Sequence, residues 1–192
     1  MNPAKIILGL VPFALFSLLA TAIPTGWAAL VGLAAAIVAL LADLRGGVKA
    51  VPLVAVLTMG VFALLAFVAD PGAAWLFGAY GRGLATLVLA LYVLATATTA
   101  PFTAAYARET TPREYWGSPT FVDVNQRISL AWGVTLLVMA GGHLVADGIV
   151  ASGASAPVVV AALNWALPIM AIVRTVKFSR SAAAGSATPQ EA

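Results

Sequence analysis

The charges of this chain are confined to short connectors, and that constrains its fold more than any other feature. Six runs, 6–22, 26–42, 51–69, 83–106, 128–146 and 156–173, contain no Asp, Glu, Lys or Arg. A helix needs about 20 apolar residues to cross a hydrocarbon core of roughly 30 Å, so each run is long enough, or nearly long enough, to span a bilayer. The runs show no period-two alternation and are too long for strands, which selects helices over a barrel. The expected fold is therefore all-α: a polytopic membrane bundle of six transmembrane helices within a single domain, residues 1–178. The polar segment 179–192 has no apolar periodicity and is expected to be a disordered tail. Composition agrees, since 62% hydrophobic and 9% charged residues leave too little polar side chain to coat a soluble globule of 192 residues.

Orientation follows from the basic residues. Six spans put Lys5, Arg45, Lys49, Arg108, Arg113, Arg127, Arg174, Lys177 and Arg180 on the side of the N-terminus, and leave Arg82 alone on the other. Lys and Arg are retained in the cytoplasm, so both termini and the 107–127 connector are expected to be cytoplasmic. Arg82 in mid-bilayer would cost about 2.5–3.5 kcal/mol on insertion scales. It is therefore placed at the outer interface beside the aromatics Trp75, Phe77 and Tyr80. A rival reading of the first run exists: Lys5, the apolar stretch 6–19 and Ala20-Thr21-Ala22 resemble a cleavable signal peptide, whose loss would leave five spans without changing the later orientation.

Several chemistries are excluded. With no cysteine there are no disulfides, thiolate metal sites, iron–sulfur clusters or cysteine nucleophiles. His143 is the single histidine, so a bis-histidine haem or metal site cannot form, and neither cofactor nor metal is expected. The net charge of +3 comes from basic residues beside membrane spans, an arrangement set by topology rather than by nucleic acid.

The most polar segment is YARETTPREYW, 106–116, between two apolar runs. Thr111-Pro112-Arg113-Glu114 has the form of a capping box, with threonine at the N-cap, proline at the first helical position and glutamate three residues after the cap. A short helix is predicted from Pro112 to Gly117, and Ser118-Pro119 is a second helix start that runs through Phe121 and Asn125 into the fifth span. Arg108, Arg113 and Arg127 balance Glu109, Glu114 and Asp123, which argues against a polybasic lipid-binding patch and for a connector neutralised by local ion pairs. The functional alternative is that Arg108, Glu109, Arg113, Glu114, Trp116 and Asn125 form a cytoplasmic docking surface or gate.

The run YWGSPTFVDVNQRISLAWGVTLLVMAG, 115–141, with Trp116, Asn125 and Trp132, resembles the penultimate span of the intracellular septation protein A family of bacterial inner-membrane proteins. The resemblance extends in layout, but not in residue detail, over most of the chain. It implies a location in a bacterial inner membrane and a role in cell-envelope organisation or division through contacts with other membrane proteins, and it carries over no catalytic residues.

Polar residues within the spans form the second candidate site: Asn164, Thr99, His143 and Asp147. His143 precedes Asp147 by one helical turn, so the two share a face and can hydrogen-bond. Asn164 lies near the middle of the sixth span, four residues before Pro168, suited either to an inter-helix hydrogen bond or to a polar cavity. Thr96, Thr98, Thr99 and Thr103 surround Pro101 and can satisfy the backbone of a kink or offer hydroxyls to a cavity. Ala28, Gly32 and Ala36, at four-residue spacing, permit close helix approach within the bundle or at a dimer face.

Three classes of function remain open. A non-catalytic interaction or organisation protein would have the bilayer, other membrane proteins or a second copy of itself as partners. A small transporter or channel would gather Asn164, the threonines and His143 around one cavity. A membrane enzyme has His143 with Asp147 as its only constellation, with no nucleophile, base and orienting group brought together by sequence.

Overall fold

The computed structural model describes residues 3–43, 47 and 49–185. Arg45 of the orientation set, the side chain of Lys5 and residues 186–192 of the expected tail lie outside the described residues. All regular structure among the described residues is helical. In order the elements are α1 (Pro3–Leu19), α2 (Thr25–Asp43), α3 (Ala50–Val68), α4 (Pro71–Thr96), α5 (Phe102–Ala107), a 3₁₀ turn (Arg113–Tyr115), α6 (Pro119–Ala151), α7 (Pro157–Ala161), a π-turn (Ala162–Ala166) and α8 (Leu167–Gly185). Five helices are long and apolar enough to cross a membrane, the last being the continuous stretch from α7 to α8, and α1 supplies a shorter apolar helix, Ile6–Leu19. This is the architecture of a multi-pass membrane helix bundle.

Side chains from α1, α2, α3, α4 and α6 fill the core. Phe16 is fully buried and meets Phe62 edge-on at 5.9 Å between ring centroids, and Phe62 meets Phe77 at 5.3 Å. The small residues of α2 are used within the molecule: Ala28 and Ala36 are fully buried, and a Cβ on Gly32 would lie 3.1 Å from Met59 Sδ and 3.3 Å from Phe16 Cβ. The first helix, with Ile6, Phe13 and Phe16 buried, is thus an integral part of the packing.

The most extensive packing joins α4 to α6, and glycine is what permits it. A Cβ on Gly83 would lie 2.6 Å from Leu144 Cγ and 3.0 Å from the Leu144 backbone nitrogen, so any side chain there would push the two helices apart.

Several boundaries differ from the sequence reading. The fourth run is not one span over 83–106. Helix α4 begins at Pro71, where Asp70 Oδ1 accepts hydrogen bonds from Gly72 N (2.9 Å) and Ala73 N (3.2 Å), an N-cap strong enough to start the helix before Arg82. It ends at Thr96, because Pro101 has no N–H to continue the ladder and the chain turns through 97–101. The short α5 that follows joins neighbouring helices. Thr103 Oγ1 donates to Asn125 O and shares a hydrogen bond with Ser129 Oγ on α6, each at 2.9 Å, while a Cβ on Gly9 of α1 would come within 2.9 Å of the Tyr106 hydroxyl.

The expected helix at Pro112 is only a 3₁₀ turn with no side-chain cap from Thr111. Ser118 recruits the chain into α6 so soon afterwards that only i→i+3 bonds fit, such as Tyr115 N to Pro112 O at 3.1 Å. The second start behaves as predicted: Ser118 Oγ accepts from Phe121 N at 3.2 Å, Pro119 occupies the first turn, and α6 runs to Ala151, beyond the 128–146 run at both ends. Helix α8 also continues past Ser179 to Gly185, where a disordered tail was expected. Ser179 is fully buried, its hydroxyl donates to Thr175 O at 2.7 Å, and the alanines that follow favour helix.

Candidate functional site

Two polar assemblies occupy opposite ends of α6. At the end where α6 closes, Arg82 of α4 forms an ion pair with Asp147. Arg82 is 12% exposed and Asp147 3%, so the pair is held almost out of solvent. A Cβ on Gly78 would lie 3.9 Å from Thr25 Oγ1 and one on Gly81 3.4 Å from Thr25 Cγ2, which sets Arg82 close to the level at which α2 begins. The sequence reading had left Arg82 outside the fourth span. The helix instead includes it, because Asp147 compensates the charge that would otherwise be costly there.

One turn earlier on α6, His143 Nδ1 and Asn164 Oδ1 are 2.9 Å apart. A carboxamide oxygen only accepts, so Nδ1 is the donor of this bond. The π-turn accounts for this pairing. Pro168 offers no N–H to the Asn164 carbonyl, and the widened turn at Ala162–Ala166 directly precedes it. Gly142 lets that turn approach: a Cβ there would lie 3.3 Å from Leu163 O and 2.6 Å from Leu167 Cδ2. The predicted hydrogen bond between His143 and Asp147 is thus replaced by two separate partnerships, one to Asn164 and one to Arg82. Asp147 Oδ2 is buried with no hydrogen-bond partner among the described residues. Thr99 takes no part in this assembly; it lies at the other end of α4.

At that other end the charged loop folds against the bundle. Lys49, only 1% exposed, forms an ion pair with Glu109 at 2.6 Å and lies 4.6 Å from the centroid of the Tyr106 ring. Asp123 pairs with Arg127 at 3.0 Å on the exposed surface of α6. These pairings redistribute the loop's balanced charges. Glu109 is engaged by a lysine from outside the loop, while Arg108 and Arg113 form no ion pair with a described carboxylate. Their guanidinium carbons instead lie 5.2 Å and 5.5 Å from the centroid of the Trp116 ring, and Trp116 Nε1 donates to Thr111 O at 2.9 Å. Glu114 and Tyr115 point outward and are exposed.

Behind this loop is a cavity of about 370 Å³, and Thr98, Thr99, Arg108, Trp116, Asn125 and Gln126 form its polar wall. Tyr92, Phe102, Phe121 and Val122 supply apolar lining. Asn125 is 3% exposed; its Nδ2 donates to Phe121 O at 2.8 Å, and its Oδ1 has no partner among the described residues. Gln126 Nε2 donates to Thr98 O at 2.6 Å across the cavity edge.

Of the predicted docking residues, the structure therefore brings Arg108, Trp116 and Asn125 into one cavity, ties Glu109 to Lys49 and leaves Arg113 and Glu114 on the outer face. Of the predicted intramembrane residues, it bonds His143 to Asn164, pairs Asp147 with Arg82 one turn away and separates Thr99. Arg82 and Lys49 are the participants that the sequence reading missed. Arg82 had a usable signal as the only cation on its side of the topology, with Asp147 among the few acids there. Trp132, one of the residues carrying the septation-like pattern, is fully buried in the core. No described group of three or more His, Asp or Glu side chains could hold a metal ion.

Comparisons with protein-family models, with curated proteins and with solved structures return no match.

Proposed function

We propose that this is a multi-pass protein of the bacterial inner membrane, with both termini and the 108–118 loop in the cytoplasm. It serves as a non-catalytic interaction or organisation protein of the cell envelope. Other membrane proteins, or a second copy of the chain, dock on the loop face.

The observation that carries this reading is the stacking of Arg108 and Arg113 about Trp116, with the indole N–H tied to Thr111 O. Three aromatic and cationic side chains thereby hold a short loop in one shape, and the loop displays Arg113, Glu114 and Tyr115 to the aqueous side. A preordered loop binds a partner with less loss of conformational freedom than a mobile one. The reading accords with the septation-like pattern over 115–141.

The test is photo-crosslinking in growing cells from a benzoylphenylalanine placed at Tyr115. A discrete adduct, lost when Arg113 and Glu114 are exchanged for Glu and Arg, is the expected result. Absence of any adduct, together with normal growth and morphology when Arg108, Glu109, Arg113, Glu114 and Asn125 are all alanine at normal protein level, refutes the docking role.

A second reading, a small transporter or channel, draws on one observation: the unpartnered Asp147 Oδ2 sits in the same buried assembly as His143 and Asn164. Buried ionisable groups in membrane bundles commonly mark ion or substrate paths. Solute or proton flux in reconstituted vesicles, abolished by Asn164→Ala, would move this reading ahead of the first.

A further inference from the structure

Helix α8 carries three cations that neither the docking face nor the buried assembly of α6 uses. Arg174, Lys177 and Arg180 are exposed, and none has an ion-pair partner among the described residues. Met170, Arg174 and Lys177 succeed one another at intervals of four and three residues, with Val173 and Arg180 beside them, so all five lie along one side of the helix. Thr175 and Ser179, on the other side, are buried against the bundle. Met170 and Val173 are exposed, and the stretch from α7 to α8 is the least buried of the five long spans. Exposed apolar side chains on a span meet acyl chains, so the cations continue a stripe that faces lipid.

Their depth follows from the packing of α8 on α6. The hydroxyls of Thr135 and Thr175 share a hydrogen bond, and His143 bonds to Asn164 further along, which sets the two helices side by side and antiparallel. Thr135 is seven residues, about two turns, inside the charge-free run of α6 that starts at Ile128. Arg174, next to Thr175, is therefore about 10 Å inside the start of that run, Lys177 is about one turn nearer to it, and Arg180 is close to its level. Positive charge that only fixes orientation belongs in water. An arginine on a lipid-facing side two turns inside an apolar run is costly unless it snorkels to a counter-charge.

We propose that this side of α8 binds an anionic phospholipid, with an acyl chain along Met170 and Val173 and the phosphodiester held by Arg174 and Lys177. A planar guanidinium with an ammonium one turn away matches a phosphodiester in charge and in hydrogen-bond donors. Arg180 faces the head group. A glycerol head group keeps the net negative charge of the lipid, whereas the ammonium of ethanolamine would meet Lys177 and Arg180 and be repelled. The site is independent of the docking face, so either can fail without the other; only the leaflet from which the lipid comes depends on the proposed orientation.

The experiment is native mass spectrometry of the full chain released from detergent micelles doped with equal amounts of palmitoyl-oleoyl phosphatidylglycerol and palmitoyl-oleoyl phosphatidylethanolamine. The wild-type chain is expected to retain the glycerol lipid at least fivefold over the ethanolamine lipid. Arg174→Gln is expected to lower retention of the glycerol lipid about fivefold, the ratio corresponding to about 1 kcal/mol for one cation near a membrane surface. The triple variant Arg174→Gln, Lys177→Gln, Arg180→Gln is expected to lose the preference. Adding Ser181→Arg to Arg174→Gln restores the net charge on the exposed side of α8 but two turns further out, and is expected not to restore retention. Equal retention of the two lipids by the wild-type chain overturns the proposal, as does an unchanged preference in the triple variant. Full recovery with Ser181→Arg would mean that net charge alone attracts the lipid, and overturns it too. A lipid-free dimer that the triple variant converts to monomer would assign this side of α8 to a second copy of the chain instead. All three cations are exposed, so the glutamine variants leave the buried packing of α8 intact.

Discussion

Replacing Asp147 by leucine would leave Arg82 without its counter-ion inside the helical bundle. The size of the penalty follows from their surroundings. Arg82 is 12% and Asp147 3% exposed, so neither charge recovers much hydration when its partner is removed. Deleting one member of such a pair costs about 3–5 kcal/mol in soluble interiors, and a single arginine costs about 2.5–3.5 kcal/mol at the centre of a membrane helix. Arg82 lies close to the level at which α2 begins, where snorkelling toward the interface relieves part of the cost. The expected loss is therefore about 2–3 kcal/mol for Asp147→Leu, and of similar size for Arg82→Leu, which strands a carboxylate. The double variant removes both charges together and should lie within about 1 kcal/mol of wild type, since apolar replacement of a whole buried pair is often neutral. The assay is unfolding in mixed micelles with increasing dodecyl sulfate, followed by circular dichroism, with the two singles and the double closing a cycle. Single variants as stable as wild type, or a double variant as unstable as the sum of the singles, would refute the view that these two charges compensate each other.

The other expectations use the same unfolding assay. Gly83→Val should destabilise by about 1–3 kcal/mol through overpacking, because the new side chain meets Leu144 and its backbone nitrogen. Asn164→Leu should cost about 0.6–2 kcal/mol by leaving His143 without its acceptor, and His143→Phe with Asn164→Leu together should cost less than the two added. Lys49→Met should be clearly destabilising in low and high salt alike because Lys49 is 1% exposed. Asp123→Ala, in a pair whose members are 53% and 67% exposed, should change stability by no more than about 0.5 kcal/mol.

The features legible in the sequence were those governed by local rules. Apolar length announced the helices, and Ser118-Pro119 announced the start of α6. Asn164 was correctly suited to an inter-helix hydrogen bond, because a carboxamide in an apolar helix has few other ways to be satisfied. Long-range pairings were not legible. Arg82 and Asp147 are far apart in sequence, and the register of α4 against α6 that joins them is set by glycine contacts such as Gly83 with Leu144. Thr111-Pro112-Arg113-Glu114 satisfied a capping pattern, yet the chain between Thr111 and Ser118 is too short for an α-helix before the next one starts. Lys49 read as an interfacial cation because its burial depends on Glu109 and Tyr106, both supplied by a distant loop. Thr99 was grouped with Asn164 on polarity alone, whereas the turn at 97–101 carries it to the opposite assembly.

The threading of the chain through the bilayer underlies the docking face, and the absence of native cysteine makes it directly measurable. Single-cysteine variants Tyr115→Cys, in the charged loop, and Ser155→Cys, in the connector after α6, would each be treated in intact bacterial cells with a maleimide that cannot cross the inner membrane. Labelling of Ser155→Cys in intact cells, with Tyr115→Cys labelled only after the inner membrane is opened, is the predicted result. Equal labelling of both positions before opening, or the reverse pattern, would contradict the account.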